Sequence, residues 1–467
     1  MGMLDCMILL ALASDRPSVV LIYCDDLGYA DIGAFGAKGI RTPNLDKMAA
    51  QGRAFTNFHV AQPVCSASRA ALLTGCYPNR VGIHGALGPG ARHGIASGET
   101  TLAEILRERG YATACVGKWH LGHRPEFLPT RHGFDRYLGL PYSNDMWPHH
   151  PEAKKGTYPP LPLIRDLQTI EPAVTPEIQA TLTGRYTDEA LGFIDASKGK
   201  PFFLYLAHSM PHVPLFAGKE RAGKSGKGVF TDVIEEIDAS TGRILDALEK
   251  QGRSDDTIVI FTSDNGPWLS YGDHAGSAGP LREGKGTTWE GGVRVPCLMR
   301  WPGKLPAGTR SNAMVMTIDL LPTLAAWTGA KVPAGPIDGA NIGPLLLGQA
   351  GAVNPHDGYA YYYENNQLQA VASGDGRWKL MLPHTYRTLD GKPGGSAGIP
   401  ARYSQKKIAK PELYDLETDI GESRDVAAAH PAVVDRLQAF AERMRAELGD
   451  SLANRKGAGV RPAGMAP

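Results

Sequence analysis

The residues with the clearest chemical potential are acidic and amide side chains that follow two apolar runs. Asp25 and Asp26 come directly after the apolar run at residues 19–24. Asp264 and Asn265 follow a second run of this kind much later in the chain. All four offer hard oxygen ligands, which suit calcium or magnesium rather than a soft metal. Each pair alone is a common helix cap or turn, but together they predict one hard-cation site.

A cysteine and five basic residues form a second candidate group. Cys65 opens the stretch CSASR at residues 65–69 and precedes an amphipathic helical pattern. A lone cysteine in such a place is usually a small, partly buried core residue. The basic members of the group are Arg69, Lys118, His120, His212 and Lys285, which are taken together because their segments resemble short motifs of one known enzyme family. Cations of this kind, together with a dication, neutralise the oxygens of an anionic ester before a nucleophile approaches it.

The elements that must position these residues are alternating strands and helices. Helical patterns occur at residues 101–109 and 230–250. Four apolar runs predict buried, mostly parallel strands, and each ends at candidate residues: 19–24, 112–116, 201–207 and 257–262. Ligands bind beyond the carboxyl ends of the strands in open α/β sheets, so we expect one shared site. The fold class is therefore α/β, with a large mixed, mostly parallel sheet flanked by helices.

The texture of the sequence changes after about residue 348. Short strand patterns and an amphipathic helix at residues 431–448 predict a smaller C-terminal α+β domain with a short antiparallel sheet. We expect a proline-rich loop at residues 141–176 to lie over the site, and residues 391–398 to form a flexible insertion. The expected boundaries are a signal or extension at 1–16, a catalytic domain at 17–348, the α+β subdomain at 349–453 and a disordered tail at 454–467.

The stretch at residues 65–75 (CSASRAALLTG) resembles the signature of the formylglycine-dependent (type I) sulfatases. Further stretches resemble the same family, namely GKWHLG at 117–122, PHVP at 211–214 and GKGTTWEGG at 284–292. The resemblance covers roughly residues 17–347 and is closest to the arylsulfatase A and N-acetylgalactosamine-6-sulfatase group of the alkaline-phosphatase-like superfamily. Ala67 stands where proline is commoner, which the family pattern tolerates.

The resemblance implies hydrolysis of a carbohydrate or aryl sulfate monoester to alcohol and inorganic sulfate. Cys65 would be converted to 3-oxoalanine (formylglycine) by a formylglycine-generating or anaerobic sulfatase-maturing enzyme. Its hydrated gem-diol would be the nucleophile and would form a covalent sulfoenzyme intermediate. The implied catalytic residues are Cys65, Arg69, Lys118, His120, His212, Asp264 and Lys285. The implied metal is Ca²⁺, with Mg²⁺ as the second choice, bound by Asp25, Asp26, Cys65, Asp264 and Asn265.

The resemblance also suggests a role for several of these side chains. Asp264 would take a proton as one diol hydroxyl attacks sulfur. His212 and Lys285 would stabilise or protonate the leaving oxygen. His120 would be the base when the second hydroxyl collapses to the aldehyde and expels sulfate.

Side chains in the long loop and after the metal motif are candidates for a sugar pocket. Aromatic faces and short polar groups suit carbohydrates, although loops with such residues are often simply solvated. The candidate substrate-binding residues are Ser143, Asn144, Asp145, Trp147, His208 and Trp268. His208 could instead support a neighbouring side chain.

Two alternative functions stay open. A formylglycine-dependent phosphonate or phosphodiester hydrolase of the same superfamily would share the cysteine stretch, because phosphoryl and sulfuryl groups are both tetrahedral. A non-catalytic homologue that binds sulfated glycans is the second alternative, against which stands the fact that every candidate catalytic position is filled.

Composition excludes several other classes of protein. The 467 residues include 49 Lys and Arg against 48 Asp and Glu, so no net field supports a nucleic-acid or anionic-membrane partner. No apolar run approaches the roughly 20 residues of a membrane-spanning helix. Six cysteines without a CxxC pair argue against a zinc site, while one or two isolated disulfides stay open. Nothing in the sequence indicates an oligomeric state.

The N-terminal residues bear on localisation. Residues 7–14 resemble the end of a secretory signal, but no Lys or Arg precedes them. We therefore expect a periplasmic or secreted protein, with a cytoplasmic location as the alternative.

Overall fold

The computed structural model describes residues 16–467, so the predicted signal or extension, apart from Arg16, lies outside the described residues. The strands in this part of the chain are β1 Ser18–Cys24, β2 Arg53–His59, β3 His93–Gly94, β4 Ala112–Gly117, β5 Arg136–Gly139, β6 Leu163–Arg165, β7 Gln168–Glu171, β8 Phe202–Ala207, β9 Thr257–Ser263, β10 Arg294–Arg300, β11 Thr309–Ser311, β12 Val315–Met316, β13 Gly358–Tyr363, β14 Gln367–Ser373, β15 Trp378–Met381, β16 His384–Thr388, β17 Ser404–Ile408, β18 Glu412–Asp415 and β19 Gly464–Met465.

The helices are α1 Pro43–Gln51, α2 Cys65–Thr74, α3 Leu102–Glu108, α4 Pro176–Gln179, α5 Leu182–Ala196, α6 Val229–Lys250, α7 Glu290–Val293, α8 Leu320–Thr328, α9 Gly343–Leu346 and α10 Pro431–Leu448. Short 3₁₀ turns lie at Gly33–Phe35, Pro125–Phe127, Pro129–Arg131, Leu269–His274, Thr317–Asp319 and Ala427–Ala429. Local chemistry explains some of these ends. Thr101 and Glu104, for example, form a capping box at the start of α3. No helix in residues 16–467 is long and apolar enough to span a membrane.

The main sheet is mixed and mostly parallel, as predicted. Its strand order is β11-β2-β10-β9-β1-β8-β4-β5-β6-β7, and β12 pairs with β2. The central strands β9, β1, β8, β4 and β5 run parallel, while β10, β6 and β7 pair antiparallel with their neighbours. The four apolar runs that the sequence indicates are the strands β1, β4, β8 and β9.

Helices cover both faces of this sheet. Alternate residues of a strand point to opposite faces. Val19 and Leu21 of β1 belong to a core that contains buried residues of α2, α3 and α8. Val20 and Ile22 belong to a second core, with residues of α1, α5 and α6. Both layers therefore hold the strands rigidly while the loops after the strand ends stay available for chemistry.

The C-terminal region contains a small antiparallel sheet, as predicted. The sheet has the order β13-β14-β15-β18, and α10 contacts β13, β14 and β15. Strands β16 and β17 form a separate hairpin. Buried residues of β13, β14 and β15 belong to the same hydrophobic cluster as α2 and α8, so this region shares a core with the main sheet.

Three segments differ from the sequence-based expectations. Strands β6 and β7 lie within the long loop predicted at residues 141–176 and extend the sheet. The insertion at 391–398 is hydrogen-bonded to Ser270 and Asp273 rather than free. In the tail predicted to be disordered, Arg461 pairs with Glu99 at 2.7 and 2.8 Å, and β19 pairs with β3. Each segment finds partners that are distant in sequence. The five described cysteines are free thiols.

A buried charge cluster joins the C-terminal sheet to the start of α7. Lys379 of β15 lies with its Nζ 2.8 Å from Glu290 at the start of α7 and 3.0 Å from Glu422. Arg294 also pairs with Glu290, at 3.3 Å. The side chains of Lys379, Glu290 and Glu422 are fully buried, so each charge depends on its partners for compensation.

This cluster predicts a large stability loss in Lys379→Met. We expect the free energy of unfolding to fall by about 3–5 kcal/mol, because two buried carboxylates lose their shared cation. Lys406→Met is the matched control, since its ion pair with Asp390 is half exposed, and it should change stability by less than about 0.5 kcal/mol. Urea denaturation measures both. Equal losses of stability in the two variants would contradict the role of the buried cluster in joining the two parts of the structure.

Glu422 gives the cluster a pH dependence. Burial raises the pKa of Glu422 to about 7, with Glu290 adding to the shift and Lys379 opposing it. The native state therefore keeps a proton that the unfolded chain releases above its ordinary pKa. The stability contribution is present below that pKa and is lost as the pH rises through about 7. Glu422→Gln should flatten this part of the stability profile, and an unchanged slope in urea titrations at several pH values would refute the assignment.

Candidate active site

Neighbouring strand ends bring the candidate residues to one edge of the main sheet. Asp25 and Asp26 follow β1, and Asp264 follows the adjacent strand β9. Lys118 follows β4, which pairs with β8, the other neighbour of β1. Cys65 is the first residue of α2, whose side chains pack on one face of the sheet. The topology thus brings together residues that are about 240 positions apart in the sequence.

A left-handed residue lets two consecutive carboxylates face the same site. Consecutive side chains in an extended strand point to opposite faces. Asp26 has φ of 64°, in the left-handed region that Asp tolerates better than most residues. Its backbone N–H donates to Asp264 Oδ1 at 3.1 Å, and its Oδ1 accepts from Asn265 Nδ2 at 2.7 Å. Asp25 Oδ1 lies 3.6 Å from Cys65 Sγ.

Arg69 and Lys118 neutralise two of the carboxylates. Arg69 is one helical turn after Cys65, so both residues lie on one face of α2. Its Nε and Nη2 donate to Asp264 Oδ2 at 3.2 and 2.8 Å. Lys118 Nζ donates to Asp25 Oδ2 in a short hydrogen bond. These pairs hold the cations in fixed positions without exposing them.

Lys285 neutralises the third carboxylate and approaches the cysteine. Its Nζ lies 2.7 and 2.9 Å from the two oxygens of Asp26 and 3.4 Å from Cys65 Sγ. The site therefore contains three carboxylates and three basic side chains. All six are buried: Asp25, Asp26, Asp264, Arg69, Lys118 and Lys285.

Burial and neighbouring charges move the pKa values of these groups in different directions. Burial raises the pKa of Asp25, but Lys118, His212 and Arg69 outweigh it and hold the pKa below its ordinary value. Burial and the charge of Asp25 raise the pKa of Asp264. Burial also raises the pKa of the Cys65 thiol to about 12, although Lys118 and Lys285 oppose the shift. Asp25 is therefore the firmer anion, Asp264 the better proton acceptor, and Cys65 a neutral thiol.

His120 is held as a neutral imidazole. Burial and the charges of Lys118 and Arg69 lower its pKa well below the usual range. Its Nε2 is 2.9 Å from the carbonyl oxygen of Leu87, which can only accept, so Nε2 carries the hydrogen. Its Nδ1 is buried and has no hydrogen-bond partner. The free lone pair at Nδ1 is suited to accept a proton.

His212 lies between the carboxylates and the long loop. Its Nε2 is 3.6 Å from Asp26 Oδ2 and 3.5 Å from Ser143 Oγ, while Nδ1 contacts the carbonyl of Val213. Ser143 also accepts a hydrogen bond from Lys118 at 3.1 Å. Ser143, predicted to bind substrate, thus joins two of the predicted catalytic residues.

The acidic group fits a hard cation. Ligand atoms of Asp25, Asp26, Cys65 and His212 lie within 4.8 Å of one another. The amide oxygen of Asn265 is buried without a hydrogen-bond partner, although its Nδ2 donates to Asp26. An unpaired buried amide oxygen is costly unless a ligand satisfies it. The sequence predicts Asn265 as a ligand, and it does not predict His212 as one.

The remaining candidates for substrate binding divide into two groups. Trp268 lies at the site, with its ring 5.5 Å from that of His212 and 4.5 Å from Lys285 Nζ. Asp145 is close enough to the site to interact with its charges. Burial raises the pKa of Asp145, but His212 and Lys118 outweigh burial and hold the pKa below its ordinary value.

Three other candidates have further partners in the structure. Asn144 donates to the carbonyls of Pro214 at 3.2 Å and His212 at 3.5 Å, and to Gln179. The ring of Trp147 packs against His149 and Phe216. His208 Nε2 is 3.4 Å from Ser240 of α6, and burial lowers its pKa to about 4. These contacts fix the three side chains in the structure around the site, and their part in substrate binding stays a prediction.

Two contributors are missing from the sequence-based candidates. The carbonyl of Leu87 orients His120, and a backbone atom carries no sequence signature. Arg387 of β16 donates from Nε to the carbonyl of Lys285 at 3.1 Å. Nothing near Arg387 in sequence links it to the site, because the hairpin reaches the site only through tertiary packing.

Comparisons with known proteins agree with this site. Residues 17–330 match the Sulfatase family, and residues 354–463 match the C-terminal region of aryl-sulfatase. Arylsulfatase A from Homo sapiens is 40% identical over 465 residues, covering 92% of this chain and 89% of that protein. N-acetylgalactosamine-6-sulfatase from Canis lupus familiaris is 37% identical over 451 residues, covering 91% and 84%. The crystal structure of Ps i-CgsB in complex with k-i-k-neocarrahexaose has a TM-score of 0.76 and 30% identity, covering 92% of each chain.

The candidate metal group can be tested with Ca²⁺ as the probe ion. Binding to the folded state raises the melting temperature with ion concentration. Asp264→Asn keeps the size of the side chain but removes an anionic ligand, so we expect at least about tenfold weaker Ca²⁺ binding while cooperative unfolding persists. Asp188→Asn, whose ion pair with Arg243 is exposed, is the control. An unchanged calcium-dependent melting shift in Asp264→Asn would count against its role as a ligand.

Proposed function

From the premise that the chain belongs to the sulfatase family and is a sulfuric ester hydrolase, we propose that it desulfates a carbohydrate through a formylglycine made from Cys65. The observation that carries the proposal is the position of Cys65. Its Sγ is 3.6 Å from Asp25 Oδ1 and 3.4 Å from Lys285 Nζ, inside the candidate metal group. A side chain there contacts both the anionic and the cationic halves of the site.

The state of the unmodified thiol supports the need for modification. A thiol with a pKa of about 12 is protonated near neutral pH, and a protonated thiol is a poor nucleophile. Cys65 is also only 2% exposed. A maturing enzyme would therefore have to act on residues 65–69 before the chain has folded around them.

The absent groups would supply defined chemistry. A hydrated aldehyde at position 65 offers two hydroxyl groups on one carbon, and Ca²⁺ held by Asp25, Asp26, Asp264 and Asn265 would offer positive charge beside the sulfate oxygens. The residues around Cys65 would then bind the anionic ester. Arg69, Lys118 and Lys285 already balance the three carboxylates, so a bound dication leaves the site positive and suited to an anion.

The proton-accepting residues suit their proposed roles. Asp264 has a raised pKa and can hold a proton from the attacking hydroxyl. His120 is neutral and has a free Nδ1, so it can accept the proton of the second hydroxyl when sulfate leaves. Lys285 Nζ and His212 Nε2 are the donors that we assign to the leaving oxygen. Because His212 Nδ1 faces the carbonyl of Val213 and so carries a hydrogen, Nε2 donates when the ring holds both protons.

The substrate class is the finer part of the proposal. One relative is named for a sulfated amino sugar, and another was crystallised with k-i-k-neocarrahexaose. In this chain Trp268 offers an aromatic face beside His212, and Ser143 offers a hydroxyl. Aromatic faces and short polar groups are suited to sugar rings. We infer a sulfated carbohydrate on these grounds.

The nucleophile is tested by Cys65→Ser. Wild-type protein produced with a maturing enzyme should carry an aldehyde at position 65, and turnover of 4-nitrophenyl sulfate should rise with the modified fraction. Cys65→Ser should transfer at most one sulfuryl group, because a serine sulfate ester has no second hydroxyl on the same carbon. Peptide mass spectrometry and steady-state assays on the same samples measure both quantities.

Controls and opposing outcomes complete this test. Cys115→Ala removes a buried thiol elsewhere and should keep multiple turnover. Multiple turnover by Cys65→Ser, or by protein with a wholly unmodified thiol, would refute the diol mechanism. Faster turnover of a phosphonate monoester or phosphate diester than of a sulfate ester would instead favour the phosphoryl-transfer alternative.

A further inference from the structure

We propose that Arg387 binds a second negative group on the substrate, next to the sulfate that is cleaved. The proposal rests on the proposed function and makes its substrate class narrower. It predicts a saccharide that carries, besides the scissile sulfate, either another sulfate or a carboxylate. A singly sulfated neutral compound would lack the group that Arg387 recognises.

The strand register of the hairpin directs Arg387 toward the site. Along β16 the side chains of His384, Tyr386 and Thr388 are buried, while Arg387 on the opposite side is half-buried. The ring of Tyr386 packs 5.4 Å from that of Trp289. The buried side of β16 is thus used for packing, and the other side is free to carry Arg387 to the segment around Lys285.

Arg387 contacts the backbone of Lys285, a residue whose side chain reaches Cys65. Its Nε and Nη2 both donate to the carbonyl oxygen of Lys285, whose Nζ is 3.4 Å from Cys65 Sγ. Gly286 makes room for this approach, because a Cβ there would lie only 2.2 Å from Arg387 Nη2. The guanidinium is therefore held against the segment that carries Lys285, one of the cations that we assign to the substrate.

The hairpin is fixed to the loop that carries Trp268. The backbone N–H of Ser270 donates to the hydroxyl of Tyr403 at 3.2 Å. The N–H groups of Gly395 and Ala401 donate to the carbonyl of Ser270 at 2.8 and 2.7 Å. These bonds pin the hairpin to the 3₁₀ turn that begins at Leu269, so the position of Arg387 is set relative to Trp268 rather than left to a free loop.

The charge of Arg387 has no carboxylate to balance it. No Asp or Glu in residues 16–467 lies within 4 Å of its guanidinium, whereas Arg69, Lys118 and Lys285 all have acidic partners. Its neighbours are a carbonyl oxygen and two aromatic faces, Tyr403 at 4.8 Å and Trp268 at 5.9 Å. An arginine that is held in place beside an anion-binding site but is not neutralised is suited to bind a ligand anion.

The planar shape of the Arg387 guanidinium indicates which chemical groups it can bind. Guanidinium is planar and binds carboxylate or sulfate oxygens with paired N–H groups. The carbonyl of Lys285 accepts from Nε and Nη2, and among the described contacts Nη1 has no acceptor. Trp268 and Tyr403 flank it with rings that suit a sugar face. The expected ligand is therefore an anionic group on a sugar. It lies next to the scissile sulfate, which residue 65 would attack.

The test compares disaccharides that share one scissile sulfate and differ in a second substituent. One carries a neighbouring hydroxyl, the second a further sulfate and the third a uronic carboxylate. Mature wild-type enzyme should favour one of the doubly charged compounds in kcat/KM. Arg387→Met should reduce that preference by about 10- to 100-fold, chiefly through KM, because it removes a charged hydrogen-bond donor. Arg387→Lys should retain part of the preference.

A matched control removes charge without removing the proposed contact. Arg402 is exposed on the same hairpin connection, and Arg402→Met should keep the wild-type preference. The anion that wild type prefers, sulfate or carboxylate, identifies the source of the second charge. Melting curves of all variants confirm that the fold is intact.

Two outcomes would overturn the inference while leaving the sulfatase proposal standing. Wild type could cleave all three compounds with equal kcat/KM. Alternatively, Arg387→Met could lose the same factor on all three, mainly in kcat, which would mean that Arg387 only positions Lys285. If mature wild type instead cleaves neither these compounds nor 4-nitrophenyl sulfate, the proposed function itself fails.

Discussion

The balance of buried charge at the sheet edge is the constraint on which the rest of the structure depends. Three carboxylates and three cations occupy a site that water barely reaches. A buried charge without a partner is strongly unfavourable, so each must stay within ion-pair distance of an opposite charge. The parallel order β9-β1-β8-β4 meets this demand because adjacent strand ends hold Asp264, Asp25 and Lys118 close together.

The same balance gives chemically similar groups different properties. Burial raises the pKa of Asp25, but the surrounding cations outweigh it and keep that pKa low. For Asp264, burial and the charge of Asp25 are the largest influences, and they raise its pKa. His120 is kept neutral by burial, which lowers its pKa, and by the same cations that would bind an anionic ester. A single electrostatic arrangement thus gives different properties to the residues that we propose as ligand, base and anion-binding groups.

The C-terminal region takes part in both stability and the site. Lys379 joins its sheet to the start of α7, only five residues after Lys285. Arg387 of the β16–β17 hairpin holds the carbonyl of Lys285 itself. The catalytic region therefore shares buried contacts with the C-terminal region, and one hydrophobic core continues across the two.

Local pattern in the sequence determined the four central strands β1, β4, β8 and β9, the α+β character of the C-terminal region and the residues whose chemistry follows from a short motif. Asp25, Asp26, Cys65 and Lys285 could be singled out because each lies within a motif or directly after an apolar run. Side-chain direction and long-range register were decided only by tertiary structure. His208 follows a predicted strand as Asp25 does, yet it turns to Ser240, and Arg387 reaches the site from a hairpin about 100 residues beyond Lys285. The physical reason is that such contacts depend on which surfaces are buried against each other, and periodicity within one segment carries no record of its partner.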